Sequence, residues 1–360
     1  MTLYVVDLEA VETRYTGQWK KHLPKLLQKN GIKAVVISGV DDIPKATTPG
    51  AFLNFGGTNV YKASQVETIS RLFCAGKIKK GDQFLFTDAW HPGIINLKYM
   101  SELLGISVNI HALWHAGSYD SADFLGRIIG DAPWVRNFEK SLFHAINFNY
   151  FASTFHIELF SQILFRSTPI QMSKTFGVDK IVRSGWPFEF LKAEILSGPK
   201  QKKKDLIVFP HRIAIEKQVA IFKNLAKELP EYEFVICQEK QLTKKEYHKI
   251  LKQAKLVFSA NLQETLGIGC YEGLLADANV LVPHRLSYKE MYVKDSFVYP
   301  SEWSSSYQLY DRNKIQLIET IRDLVSNYDD YAIDRELTEH HLTEFYFSSN
   351  KLIENIKEWQ

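Results

Sequence analysis

Ser259-Ala260-Asn261-Leu262-Gln263-Glu264-Thr265-Leu266-Gly267-Ile268-Gly269-Cys270-Tyr271-Glu272-Gly273 is the stretch on which the fold turns. Residues 255–259 (KLVFS) just ahead read as a buried strand, and 269–277 as a helix. Glu264 falls in the loop between them and Glu272 on the second helical turn, about 7 Å past its start at ~1.5 Å per residue. The amides of Leu266, Gly267, Ile268 and Gly269 point at whatever lies before the helix, where the dipole favours an anion. Gly267 and Gly269 carry no Cβ, so phosphate oxygens can approach their backbone. An anion at the helix tip with one carboxylate on each side suits a nucleotide sugar, its diphosphate on the helix and its hydroxyls on the glutamates.

Working outward, the same alternation continues. Residues 206–209 (LIVF), 233–237 (EFVIC) and 280–282 read as strands, and 216–229 and 244–253 as helices. Upstream lies SGPKQKKKD at 197–205, whose Gly, Pro and lysines read as a solvated hinge. Before it the alternation appears a first time. Strands are expected at 3–8, 33–38, 84–86 and 108–112, with helices at 13–30, closed by Gly31, and 93–104. Pro24 predicts a break or kink in the first helix. Two tandem parallel-sheet α/β domains result.

Composition sets the limits. The 360 residues are 45% hydrophobic and 24% charged, which excludes a largely disordered chain, and their length predicts two domains. Lys+Arg 44 against Asp+Glu 41 gives +3, too little to impose a polyanionic partner. Residues 1–190 hold 20 Lys/Arg and 16 Asp/Glu (+4), leaving 24 and 25 (−1) for 191–360, so the basic half is the one that faces an anionic acceptor. Cys74, Cys237 and Cys270 are too scattered for a disulfide framework or a CxxC zinc site. Acids at Asp7 and Glu9 exclude a signal peptide, and no run approaches the roughly 18 apolar residues of a membrane span. The expectation is a cytoplasmic protein without membrane insertion.

A second element agrees with the first. Phe209-Pro210-His211-Arg212-Ile213-Ala214-Ile215-Glu216-Lys217 follows a strand, and Arg212 and Lys217 are cations near a helix start, where the dipole disfavours them unless an anion binds. Glu264 and Glu272 have the E-x7-E spacing of retaining GT-B glycosyltransferases similar to family 4, and the Arg212–Lys217 segment resembles that family's G-R-x-x-x-E-K, with His211 in place of Gly. The resemblance implies two Rossmann-like domains facing a cleft: 1–190 for the acceptor, 191–335 for the donor, and 336–360 returning to the first as a C-terminal helix. It implies that Glu264 contacts the donor sugar and Glu272 the ribose. Arg212, Lys217, Thr265, Leu266, Gly267, Ile268 and Gly269 would hold the diphosphate. No cofactor or metal is expected, because two cations meet the leaving group; the co-substrate is a nucleotide-diphosphate sugar, preferably a UDP-sugar. A dehydrogenase is excluded by the lack of GxGxxG after the first strand.

In the first domain the family places a His after about the fourth strand. His115 occupies that place, beyond the strand end, while His111 on the strand reads as a core residue. Asp88 and His91, in Thr87-Asp88-Ala89-Trp90-His91-Pro92-Gly93, are candidates to position or deprotonate an acceptor hydroxyl; a helix N-cap by Asp88 accounts for it equally well. Arg14, Tyr15 and Thr16, in a loop 12–19 that replaces the family's glycine pair, and Asp120 are further acceptor-side candidates. The segments 14–24, 258–273, 283–292 and 299–303 resemble phage-encoded relatives, some of which glycosylate hydroxymethylated pyrimidines of DNA. That implies duplex DNA as acceptor and, for a phage protein, the host cytoplasm. A saccharide or surface-polysaccharide precursor is the alternative acceptor, and a nonenzymatic nucleotide-sugar binder the alternative from another class.

Overall fold

The structure, a computed structural model, describes residues 1–11, 15–43, 53–240 and 242–359. The chain divides into two compact units, Met1–Gly185 with Ser349–Gln360, and Trp186–Ser348.

The first unit is a six-stranded sheet, β1 (Leu3–Val6), β2 (Ala34–Ile37), β3 (Gln83–Phe86), β4 (Asn109–Trp114), β5 (Phe148–Phe151) and β6 (Ile181–Arg183), in the order β2-β1-β3-β4-β5-β6. Every pairing is parallel. Inner strands such as LYVV and FNYF are buried throughout, as parallel sheets covered on both faces require. Val6 pairs with Phe86, and Phe86 with Ala112, so the loops after β1 and β3 leave one edge of the sheet, the carboxyl edge where ligands of open parallel sheets bind. Trp114, Phe143, Phe151 and Phe160 fill the core beneath.

Helix Tyr15–Lys29 runs on through Pro24, where a break or kink was expected; the helix is not broken there. Its Trp19, Leu23 and Leu27 are buried, and that packing outweighs the one bond the proline cannot donate. Helix Phe55–Cys74, twenty residues long, has no counterpart among the expected elements. It carries the buried Tyr61 and Gln65 inside a polar pattern that conceals its apolar face.

The second unit is a five-stranded sheet, β7 (Lys204–Phe209), β8 (Glu233–Ile236), β9 (Ala254–Phe258), β10 (Asn279–Pro283) and β11 (Val298–Tyr299), ordered β11-β10-β9-β7-β8 and again parallel. The boundary lies at 185/186, upstream of the expected 190. Most of the lysine run is exposed, as expected, but Lys203 departs from it: it donates to the carbonyls of Ala254 and Ala276, both at 2.8 Å, and burial pushes its ammonium down to about 7. The expected single C-terminal helix is two. Ala332–Phe345 belongs to the second unit, and Asn350–Glu358 to the first. There Gln83 Nε2 donates to the Ile356 carbonyl (3.1 Å), and Trp359 sets its edge on Phe148. Among the described residues, no helix is long and apolar enough to cross a membrane.

Candidate functional site

In the second unit β9 ends at Phe258, the loop passes Glu264, and helix Ile268–Leu275 follows. Its N-cap, Gly267, has φ +71°, and a Cβ there would stand 2.6 Å from Tyr288 Cε1. A Cβ on Gly269 would come within 3.0 Å of Pro210. Protein atoms therefore crowd the Cβ positions of both glycines, so packing alone already demands glycine there.

Glu264 is the centre of the site. Lys217 Nζ lies 3.2 Å from its Oε2 and also donates to the Gln263 carbonyl. Asn261 Nδ2 donates to Oε2 at 3.0 Å, while the amides of Thr265 (3.1 Å) and Leu266 (3.5 Å) reach Oε1. The anion facing these loop amides is thus Glu264 itself. Burial alone would raise its pKa, but the Lys217 charge outweighs that and holds it at about 2. Lys217 is buried, and a buried ammonium needs such a partner.

Arg212 puts Nε (3.1 Å) and Nη2 (2.5 Å) on one oxygen of the buried Glu216. Glu272 lies on the second turn of its helix, as its position in the sequence predicts. Its Oε1 takes Lys244 Nζ at 3.0 Å and its Oε2 the Tyr247 hydroxyl at 2.8 Å, with His248 Nε2 at 3.8 Å. Burial raises this carboxyl, and Lys244 brings it down to about 2. Sequence reasoning missed Lys244 and Tyr247, which stand one turn apart on helix Lys244–Gln253 with no motif to mark them. It also missed Asn261, whose signal was its place two residues after the expected strand.

In the first unit the structure joins two candidates: the Tyr15 hydroxyl and His115 Nδ1 are 2.6 Å apart, and His115 follows β4 directly. Tyr15 and Thr16 open a helix rather than lie in a loop, and Thr16 Oγ1 accepts the Val11 amide (3.4 Å). Arg14 lies outside the described residues. Asp88 caps neither end of a helix. It accepts the Trp90 amide (3.0 Å) and pairs with Lys62 (3.0 Å). Burial opposes its charge, but Lys62 prevails and holds it at about 2.

His91 is likewise engaged. Its Nδ1 accepts the Gly93 amide (2.9 Å) and its Nε2 meets Gln65 Oε1 (3.0 Å), while burial, aided by Lys62, lowers it to about 3. His111 is a core residue between Gln83 and Tyr150, also pushed by burial to about 3. Asp120 accepts the Ala122 amide (3.0 Å), closing its own turn.

The sequence matches no protein-family pattern and no curated protein. Solved structures do match. The trehalose-phosphate synthase (UDP-forming) of Burkholderia vietnamiensis superposes with a TM-score of 0.62 at 10% identity, covering 99% of this chain and 97% of that one. S. aureus TarM, solved in complex with UDP, gives 0.54 at 13%, covering 83% and 59%. The pneumococcal O-GlcNAc transferase GtfA, solved with UDP and GlcNAc, gives 0.51 at 12%, covering 89% and 64%. The fold is GT-B. The chain spans under two thirds of TarM and GtfA but nearly all of the synthase.

Within this GT-B fold, the second unit offers a half-buried carboxylate, Glu264, and a buried one, Glu272, on either side of a helix start, each with a lysine beside it. Glu264 receives Lys217, Asn261 and two loop amides, and Glu272 receives Lys244 and Tyr247.

Proposed function

We propose that the chain is a glycosyltransferase that moves a sugar, with retention, from a nucleotide-diphosphate sugar to an acceptor hydroxyl. The observation that carries the reading is the pair Glu264 and Glu272 flanking the start of helix Ile268–Leu275, with Lys217 on the first carboxylate and Arg212 five residues before it. UDP is the preferred nucleotide, because TarM and GtfA are solved with UDP and the synthase is named UDP-forming. Glu272 accepts the ribose hydroxyls. Arg212, Lys217 and the first-turn amides of Ile268 and Gly269 take the charge that develops on the departing diphosphate, the role a metal plays elsewhere. Glu264 contacts the donor sugar, and His115, oriented by Tyr15, stands on the acceptor unit.

For the acceptor we favour a hydroxymethylpyrimidine of DNA, supported by the resemblance of four sequence segments. The named products of the synthases favour a saccharide as the second reading. Nucleoside mass spectrometry decides between them. DNA carrying hydroxymethylcytosine or hydroxymethyluracil is incubated with the protein and mixed nucleotide sugars. A hexose- or pentose-sized mass gain supports the DNA acceptor. Sugar release onto an added saccharide with unmodified DNA rejects it and leaves the transferase. No transfer to either, with no nucleotide binding, rejects the whole reading.

A further inference from the structure

His211 stands directly after β7 and Pro210, at the carboxyl edge of the second sheet. It is buried, only 8% exposed, and Phe209 braces it edge-on with ring centroids 5.0 Å apart. Its tautomer follows from its neighbours. The Glu264 carboxylate can only accept, so Asn261 turns its Nδ2 toward Oε2 (3.0 Å). The same Nδ2 lies 3.3 Å from the Tyr288 hydroxyl and 3.4 Å from His211 Nδ1; Nδ2 can only donate, so a proton on Nδ1 would face it unpaired, and we assign the ring proton to Nε2.

Two polar atoms of these touching side chains are left over. Neither His211 Nε2 nor Asn261 Oδ1 has a hydrogen-bond partner among the described residues, and Asn261 is fully buried. Native interiors seldom leave a buried donor and a buried acceptor unpaired, least of all side by side. The ring is neutral, because burial pushes it down to about 3 with Lys217 acting in the same direction. A phosphate oxygen could accept from Nε2–H but has no proton for Oδ1. A hydroxyl does both.

We propose that His211 and Asn261 form the subsite for the transferred sugar: Nε2–H donates to a sugar hydroxyl oxygen, and Oδ1 accepts from a sugar hydroxyl. This inference rests on the glycosyltransferase reading and deepens it. The position held by Gly in the resembling family becomes a specificity element here, reading a hydroxyl instead of leaving space.

The test is calorimetric and uses the full chain. UDP, ADP, GDP and their glucose, galactose and N-acetylglucosamine conjugates are titrated into the wild type, His211→Phe and His211→Gln. Phe keeps a flat ring without the N–H, and Gln restores a donor. The expected result is an unchanged Kd for the nucleoside diphosphate with His211→Phe, which also reports an intact site. The best nucleotide sugar weakens about three- to tenfold, the value of one hydrogen bond, and recovers in part with Gln. Equal weakening of diphosphate and nucleotide sugar would place Nε2–H on the phosphates, and no weakening would place an ordered water there. Either result overturns the subsite while leaving the transferase reading intact. A wild type that binds none of the nucleotides ends both.

Discussion

Replacing Glu264 by Gln tests the geometry of the site independently of its chemistry. All four groups that reach the carboxylate are donors: Lys217, Asn261 and the amides of Thr265 and Leu266. A Gln amide brings two donors of its own, so either orientation sets N–H against N–H and leaves the Lys217 ammonium buried without an anion. The carboxyl is held at about 2 instead of 4.5, and at about 1.4 kcal/mol per pH unit this is a preference of roughly 3 kcal/mol for the charged form. For the 163 residues of Trp186–Ser348, at about 2–4 °C per kcal/mol, the melting point should fall by about 6–12 °C. Because the folded value is depressed, this contribution is complete above about 4.5 and is lost as pH falls through about 2. The gap between wild type and variant should therefore be the same at pH 5.5 and 7.5 in scanning calorimetry. Adding Lys217→Met should recover at least half of it, since removing both charges costs less than removing one. A Glu264→Gln protein melting within about 2 °C of wild type would refute the pairing as the support of Lys217.

Gly267→Ala should cost about 2–4 kcal/mol in denaturant unfolding, since a left-handed alanine costs roughly 1–2 kcal/mol and its Cβ would meet Tyr288 at 2.6 Å; a loss under 0.5 kcal/mol would contradict the geometry of the turn. His91, His111 and His156 are each held by burial at about 3, against 6.5 when unfolded. Only the unfolded chain takes up their protons as pH falls from 6.5 toward 3, so stability drops over that window by about 1.4 kcal/mol per pH unit for each. His111→Gln should flatten the slope by one proton, read from denaturation at pH 5 and 6. Glu216→Gln removes the Arg212–Glu216 ion pair and should tighten UDP binding about threefold by calorimetry; weaker binding would mean that Glu216 presents the guanidinium rather than restraining it.

The second sheet was legible in the sequence because its strands are short apolar runs separated by amphipathic helices. Helix Lys244–Gln253 has the expected bounds, since Thr243 and Glu246 form a capping box at one end and Ala254 opens β9 at the other. The loop-to-helix junction was legible for a similar reason, as Gly267 marks a left-handed turn whatever it binds. What escaped was everything set by long-range partners. Helix Phe55–Cys74 escaped because its buried face includes Thr58, Tyr61 and Gln65, the last fixed by Asp7 and Ile37. Lys203 read as solvated because no local pattern shows that two carbonyls, 51 and 73 residues away, receive its ammonium. Asp88 read as a base or a cap because Lys62, 26 residues upstream, is invisible to any motif.

The same long-range pairing changes what the donor site must do. Arg212, Lys217 and Lys244 are matched by Glu216, Glu264 and Glu272, so the six charges sum to zero before any ligand arrives. A diphosphate therefore gains little from net attraction, and its affinity must come from exchanging partners. The exchange is uneven across the site. Lys217 is buried and tied to a carbonyl as well as to Glu264, so moving it toward a phosphate strands a carboxylate that is stable only when ionised. Arg212 is half-exposed, and its Nε and Nη2 both meet one oxygen of Glu216. A planar guanidinium can share its fork between two anions, which the compact ammonium of Lys217 cannot do as cheaply. On the glycosyltransferase reading, Arg212 would be the more mobile phosphate ligand. Lys217 is the fixed charge that keeps Glu264 ionised and in place.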